Sequence, residues 1–268
     1  MAQKDKKQNR DEQALATQGD AAALAVSRVP EYMMPDAGLG TEDMTRDDFT
    51  LPRLALCQSM TRQRKPSSPL FIEGLSEGQL FNTISQEVYK GPVKILPLLV
   101  YKTRIKFNPL DEGGGIDCQS FNAINGGRHA EVCAGCQFNQ WVPTESGTER
   151  PACNLFYNYL VVVNDDFGAP AVLSMKSSQL KVAKTFNSLV RMYGNSTMFS
   201  RYYEVASVPE SNSMGEFYNF SIKPLGWVPE EIYRAAKTMF ENLKQRPLKV
   251  DVAGVEDEFT EQHDDAGM

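Results

Sequence analysis

Apolar and polar residues alternate over several stretches between residues 79 and 225, and this period of two predicts strands. One strand fits Gln79–Ile84, after the turn signals Glu73-Gly74 and Glu77-Gly78. A long one runs Val93–Phe107, where Pro97 marks an edge or a bend because proline cannot donate to a ladder. Leu155–Val163 is β-branched and aromatic, and Asn164-Asp165-Asp166-Phe167-Gly168 turns it into Ala171–Met175. The period then becomes helical. Leu180, Val182, Ala183, Phe186, Leu189, Val190 and Tyr193 predict a helix over Ser178–Tyr193, with Ser177 as N-cap and Gly194 past its end. Two more strands, Phe199–Val208 and Glu216–Leu225, precede a last helix from Pro229. It carries Glu230 and Glu231 in its first turn and Ile232, Ala235, Ala236, Met239, Phe240 and Leu243 on one face.

With the short strand Ala171–Met175 set aside, three strands, a helix and two strands, plus a C-terminal helix, is the order of an OB-fold, a Greek-key barrel with a helix between strands 3 and 4; other small β-barrels share most of it. The expected class is therefore mainly β (α+β). Residues 108–153 interrupt the pattern with Gly113-Gly114-Gly115 and Gly126-Gly127, and read as an insertion in a domain spanning 49–250.

Composition adds the ends of the chain. Of 268 residues 41% are apolar, and 28 Lys+Arg against 34 Asp+Glu give a net charge of −6, as in an ordinary soluble protein. No apolar run approaches the roughly 20 residues that span a bilayer, and the N-terminus lacks an apolar signal region, so no membrane is expected. Summed by segment, the charge alternates: +6 over 50–110, −6 over 111–170, +5 over 171–250 and −7 over 251–268. Residues 251–268, without Lys or Arg, read as a disordered acidic tail, and 1–48 as a flexible arm with a basic tip at Lys4, Lys6, Lys7 and Arg10.

Candidate chemistry concentrates in the insertion. Cys118, Cys133, Cys136 and Cys153 give C-x14-C-x2-C-x16-C, and a C-x2-C turn sets two thiolates at adjacent corners of a tetrahedron. Two more from flanking segments complete a closed, structural Zn²⁺ site in a reducing compartment; His129 in place of Cys118 is the alternative set. Cys57, beside Leu54 and Leu56, reads as core. His129-Ala130-Glu131 followed by the C-x2-C pair imitates the zinc-deaminase signature, but the two halves are too close to come from separate helices. No Walker A, dinucleotide or nucleophile-elbow motif occurs, and the chain reads as a non-enzyme.

Lys102, Arg104 and Lys106 alternate on one strand face, about 7 Å apart, close to the phosphate spacing of a stretched single strand. Tyr101 and Phe107 fall on the other face. Tyr157, Tyr159, Tyr202 and Tyr218 crowd the later strands near Arg201, and neighbours such as Tyr202-Tyr203 point to opposite faces. Some of these rings are therefore expected in the open as stacking platforms for bases. Arg62, Arg64 and Lys65 form a basic loop before the barrel, and Trp141 tips the insertion.

The basic arm, OB-like order, cysteine-stapled insertion and acidic tail together resemble the phage single-stranded-DNA-binding proteins typified by the helix-destabilising protein of T-even phages. Leu51-Pro52-Arg53-Leu54 and Gln58 before a Gly-bounded strand are also similar to phage proteins of this length. That family's zinc site includes a histidine, whereas this chain offers four cysteines. The resemblance implies sequence-independent coating of single-stranded DNA in phage replication, recombination and repair, in the cytoplasm of an infected bacterium. It also implies self-association along DNA and docking of replication and recombination proteins on the acidic tail. The alternative expectation is a zinc-containing interaction factor that modulates RNA polymerase.

Overall fold

The computed structural model describes residues 32, 39–44, 48, 50–144, 147–192, 197–212 and 215–244. Almost all of the arm, the basic tip, Gly194 and the acidic tail lie outside the described residues. The chain divides into two units, 1–49 and 50–268. In the first, the Met44 N–H closes a turn on the Thr41 carbonyl at 3.0 Å. The second holds eleven described strands and two α-helices, in three antiparallel sheets, none of them closed.

The largest sheet is built on β4 (Val93–Phe107). One edge pairs with β8 (Cys153–Val163), which continues to β9 (Asp166–Lys176). The other edge is shared: β10 (Arg201–Asn212) pairs with Val93–Ile95, and β5 (Ile116–Ser120) with Arg104–Phe107. β11 (Gly215–Trp227) pairs outside β10. Pro97 lies at a register shift between Pro97 and Leu99, beyond the end of the β10 pairing. A missing N–H costs nothing there, so bend and edge coincide.

β8 is buried from Phe156 to Val163 on both faces. Alternation sends Tyr157, Tyr159, Val161 and Val163 to one cluster and Leu160 and Val162 to another. Helix α1 (Leu180–Met192) covers the first with Ala183, Phe186 and Val190. The Phe186 ring lies 4.7 Å from Tyr159 and 4.9 Å from Tyr203. Helix α2 (Glu230–Leu243) covers the second with Ala236, flanked by Ile232, Tyr233, Met239 and Phe240. The expectation that neighbouring rings need an open face is corrected here, because two helices give both faces a lid.

A small sheet of β1 (Leu54–Leu56), β2 (Leu80–Asn82) and β3 (Val88–Tyr89) adds Leu54, Leu56 and Leu80 to the α1-side core. Arg53 bridges to Val172 of β9, while the Gln58 side chain makes both main-chain hydrogen bonds of Tyr218 on β11, at 2.8 and 2.9 Å. Gly78 has φ +79°, and a Cβ there would stand 2.6 Å from the Tyr218 ring, so the contact requires glycine. Ser177, expected as N-cap of α1, instead takes φ 47° in a 3-10 turn, and the Gln179 side chain accepts the Lys176 N–H at 3.2 Å.

Candidate metal centre and nucleic-acid interface

The far half of β4 organises the insertion. Lys106 pairs with Cys118 on β5 and with Cys153 on β8, so both cysteines sit beside it on one face of the sheet. After β5, Asn122 Oδ1 accepts the N–H groups of Ile124 and Asn125 at 2.9 and 2.8 Å and turns the chain. The Cys133 N–H then bonds the Ile124 carbonyl at 2.9 Å, and a 3-10 turn at Cys133–Gly135 returns over the strands. Asn139 Nδ2 holds the Cys133 carbonyl at 2.9 Å. Gly126 is indispensable to this path, because a Cβ there would lie 1.7 Å from the Ala130 carbonyl oxygen.

The result is a small cavity lined by all four cysteines, Cys118, Cys133, Cys136 and Cys153, together with Arg104, Ser120, Gly126, Gly127, Ala130 and Asn139. Burial pushes the Cys153 thiol upward, and the positive charge of the Arg104 guanidinium opposes that shift. Beside the cavity Asp117, with a side chain only 7% exposed, takes Lys106 Nζ at 2.6 Å, His129 Nε2 at 2.6 Å and Arg128 Nη1 at 3.2 Å. The Lys106 hydrogen bond, with His129 behind it, holds this carboxyl below the usual carboxylate range against its desolvation. His129 thus faces Asp117 and packs edge-on to Phe138 at 4.8 Å, and it does not line the cavity.

The residues expected to touch nucleic acid do not form one wall. Tyr159 is 0% exposed and Tyr157 buried beneath α1, so their rings cannot stack on bases; their burial corrects that expectation. Lys102 is exposed above Tyr157, 4.8 Å from its centroid. Arg104 walls the thiol cavity, and Lys106 is paired with Asp117 and lies 4.6 Å over the Phe138 ring. The open rail of three cations is therefore corrected to one outward lysine. Tyr101 is half-buried, with its hydroxyl pushed up by desolvation, and Phe107 packs against the Ile105–Phe156 cluster. Tyr202 is half-buried on the α2 side under Lys94, and Tyr218 packs on Gly78. Arg62 and Arg64 are exposed, Arg64 in an ion pair with Glu77 at 2.6 Å, and Lys65 is half-buried. Trp141 is 65% exposed, and Arg201 lies 4.4 Å over the ring of Trp227, itself 60% exposed.

Residues 20–249 match the family model of the Pam3 phage gp34-like proteins. The chain belongs to that family. The match points to a bacteriophage protein, which agrees with the phage character of the resemblance above. No curated protein and no solved structure matches the chain.

For a member of this phage family, the donor set at the cavity is the feature that bears on a metal. Four thiols on one small lining suit a thiophilic dication, and Cys133 and Cys136 come from a single turn, as a C-x2-C knuckle requires. Among the described residues no group of three or more His, Cys, Asp and Glu side chains is placed to hold a metal ion. The shared lining is what fits. Trp227, Asp117 and Arg128 escaped the sequence reading. Trp227 ends a strand in a Gly226-Trp227-Val228-Pro229 run without periodicity, and Asp117 was hidden beside Cys118. Among the described residues no helix is long and apolar enough to cross a membrane.

Proposed function

We propose that this phage protein binds single-stranded DNA without sequence preference during replication, recombination and repair, as an opened OB-like module. A structural Zn²⁺ held by Cys118, Cys133, Cys136 and Cys153 would staple the insertion, supplying cohesion and no reaction. The observation that carries the reading is the Arg201–Trp227 pair, a half-buried cation 4.4 Å over an indole that is 60% exposed. Such a pair offers a stacking face to an unpaired base and a charge to its phosphate. Lys102, Arg62 and Trp141 add exposed cationic and aromatic contacts. The acidic segment 251–268 docks replication and recombination proteins in this reading and competes for the same cations.

Fluorescence anisotropy with labelled single-stranded and duplex oligonucleotides tests it. Binding should favour the single strand and fall steeply with salt. Trp227→Ala should weaken it by ~1–3 kcal/mol, roughly ten- to hundredfold in Kd. Equal affinity for duplex, or no effect of Trp227→Ala, overturns the interface. A second reading, a factor acting on RNA polymerase, is favoured by the exposed Phe121, Ile124, Val132, Trp141 and Val142, which crowd the insertion. Recovery of polymerase on the immobilised chain, lost in Trp141→Ala and accompanied by no oligonucleotide binding, would select it.

A further inference from the structure

Of the cations on β4, Arg104 lines the thiol cavity and Lys106 is ion-paired to Asp117, the neighbour of Cys118, and a four-thiolate zinc centre has a use for both charges. A dication among four thiolates keeps two negative charges. Burying them without counter-charge is costly. Around the cavity stand Arg104 in the lining, and Lys106 and Arg128 on Asp117 next to Cys118. Three cations and one carboxylate leave an excess of two positive charges, which matches the centre. Arg104 is the one that shares the cavity lining with the four thiols. Lys106 is placed by its pairing with both Cys118 and Cys153.

We infer that Arg104 is a positioning residue for a four-thiolate metal centre, acting with Lys106 and Arg128 as its counter-charge, and that His129 belongs to this outer layer through Asp117 and is not a ligand. The inference rests on the zinc reading above and deepens it. Arg104 suits the task because a planar guanidinium fork can direct N–H groups at thiolate sulphur while its charge never leaves. His129 lies outside the cavity lining, with Nε2 on Asp117 at 2.6 Å, whereas Cys118, which it would have to replace, is part of that lining. Outer partners of this kind orient the ligands and tune the affinity of the ion.

The test uses the full chain with Zn²⁺ and Co²⁺ as probes. Zinc affinity is read by competition with a chromophoric chelator, and the ligand set by the absorption of the Co²⁺-loaded protein. Arg104→Met should weaken zinc binding about ten- to hundredfold, and Arg104→Lys should recover most of it. His129→Ala should keep one metal per chain and an unchanged all-sulphur cobalt spectrum. Unaltered affinity in Arg104→Met overturns the counter-charge role. A cobalt spectrum that shifts in His129→Ala overturns the ligand assignment, and that readout stands even if Arg104→Met fails to fold. A wild-type chain that takes up neither ion removes the zinc reading itself, an outcome distinct from both.

Discussion

The two halves of β4 are held by opposite means. From Val93 to Leu98 the strand is clamped between α1 and α2 by apolar side chains, and its neighbours on β8 have no exposure to speak of. From Arg104 to Phe107 one face meets thiols, an arginine and an ion-paired lysine, under a loop whose large apolar residues mostly face out. The first half is stable because burial is non-directional and cumulative. The second depends on a few directional contacts, each replaceable by nothing nearby. Damage should therefore be global in one half and local in the other.

The largest break is expected in the clamp. Phe186→Ala removes the ring between Tyr159 and Tyr203 and should cost ~3–5 kcal/mol of global stability, read in urea unfolding. A loss below about 1 kcal/mol would mean that α1 is not the lid described. Next comes Gly126→Ala, whose Cβ collides with the Ala130 carbonyl. It should remove ~2–3 kcal/mol of local stability and abolish hydrogen-exchange protection over 118–139, with the β8 core still protected. Joint loss of both regions would erase the division.

Asp117→Asn keeps the shape but leaves Lys106, 15% exposed, without its carboxylate. A local cost of ~1–2 kcal/mol is expected, seen as faster exchange in β5 and no change in α1. The smallest effect is a pH dependence in the clamped half. Glu210 accepts Lys181 Nζ at 2.8 Å and Asn219 Nδ2 at 3.1 Å, and the Lys181 hydrogen bond holds its carboxyl below the ordinary 4.5. A depressed folded value means stabilisation that is present above the unfolded value and lost as pH falls through the folded one. Because the pair is solvated, the loss should stay under ~1 kcal/mol between pH 5 and 3, and Glu210→Gln should flatten it. Identical urea midpoints against pH in both proteins would discard the pair as a contributor.

Periodicity alone located β4, β8, α1, β10, β11 and α2, because each buries an apolar stripe of its own. It missed β5, where Ile116 is the only large apolar residue, and β6 (Val142–Thr144) and β7 (Gly147–Glu149), which are exposed throughout. The convergence of four cysteines could be read from their spacing, since a two-residue gap fixes a turn locally. What lay over a strand face could not, because that is decided by partners far along the chain. Tyr159 is buried by a helix some twenty residues later, and Lys106 is neutralised by a carboxylate on the next strand. Alternation correctly set Lys102, Arg104 and Lys106 on one side, and only the folded loop decided that Arg104 lines the cavity and Lys106 meets Asp117.

One arrangement on β4 bears on how the chain comes off the ribosome. The strand's main partner, β8, begins only at Cys153, after the whole insertion. At about 5–20 residues per second the nascent strand waits on the order of several seconds for that partner. In that interval β5 alone can occupy its far edge, and Leu96 and Leu98 lack the Phe199 ring and α2 that complete their cluster. Expression temperature and chaperone supply should thus govern soluble yield more than any property of the finished molecule.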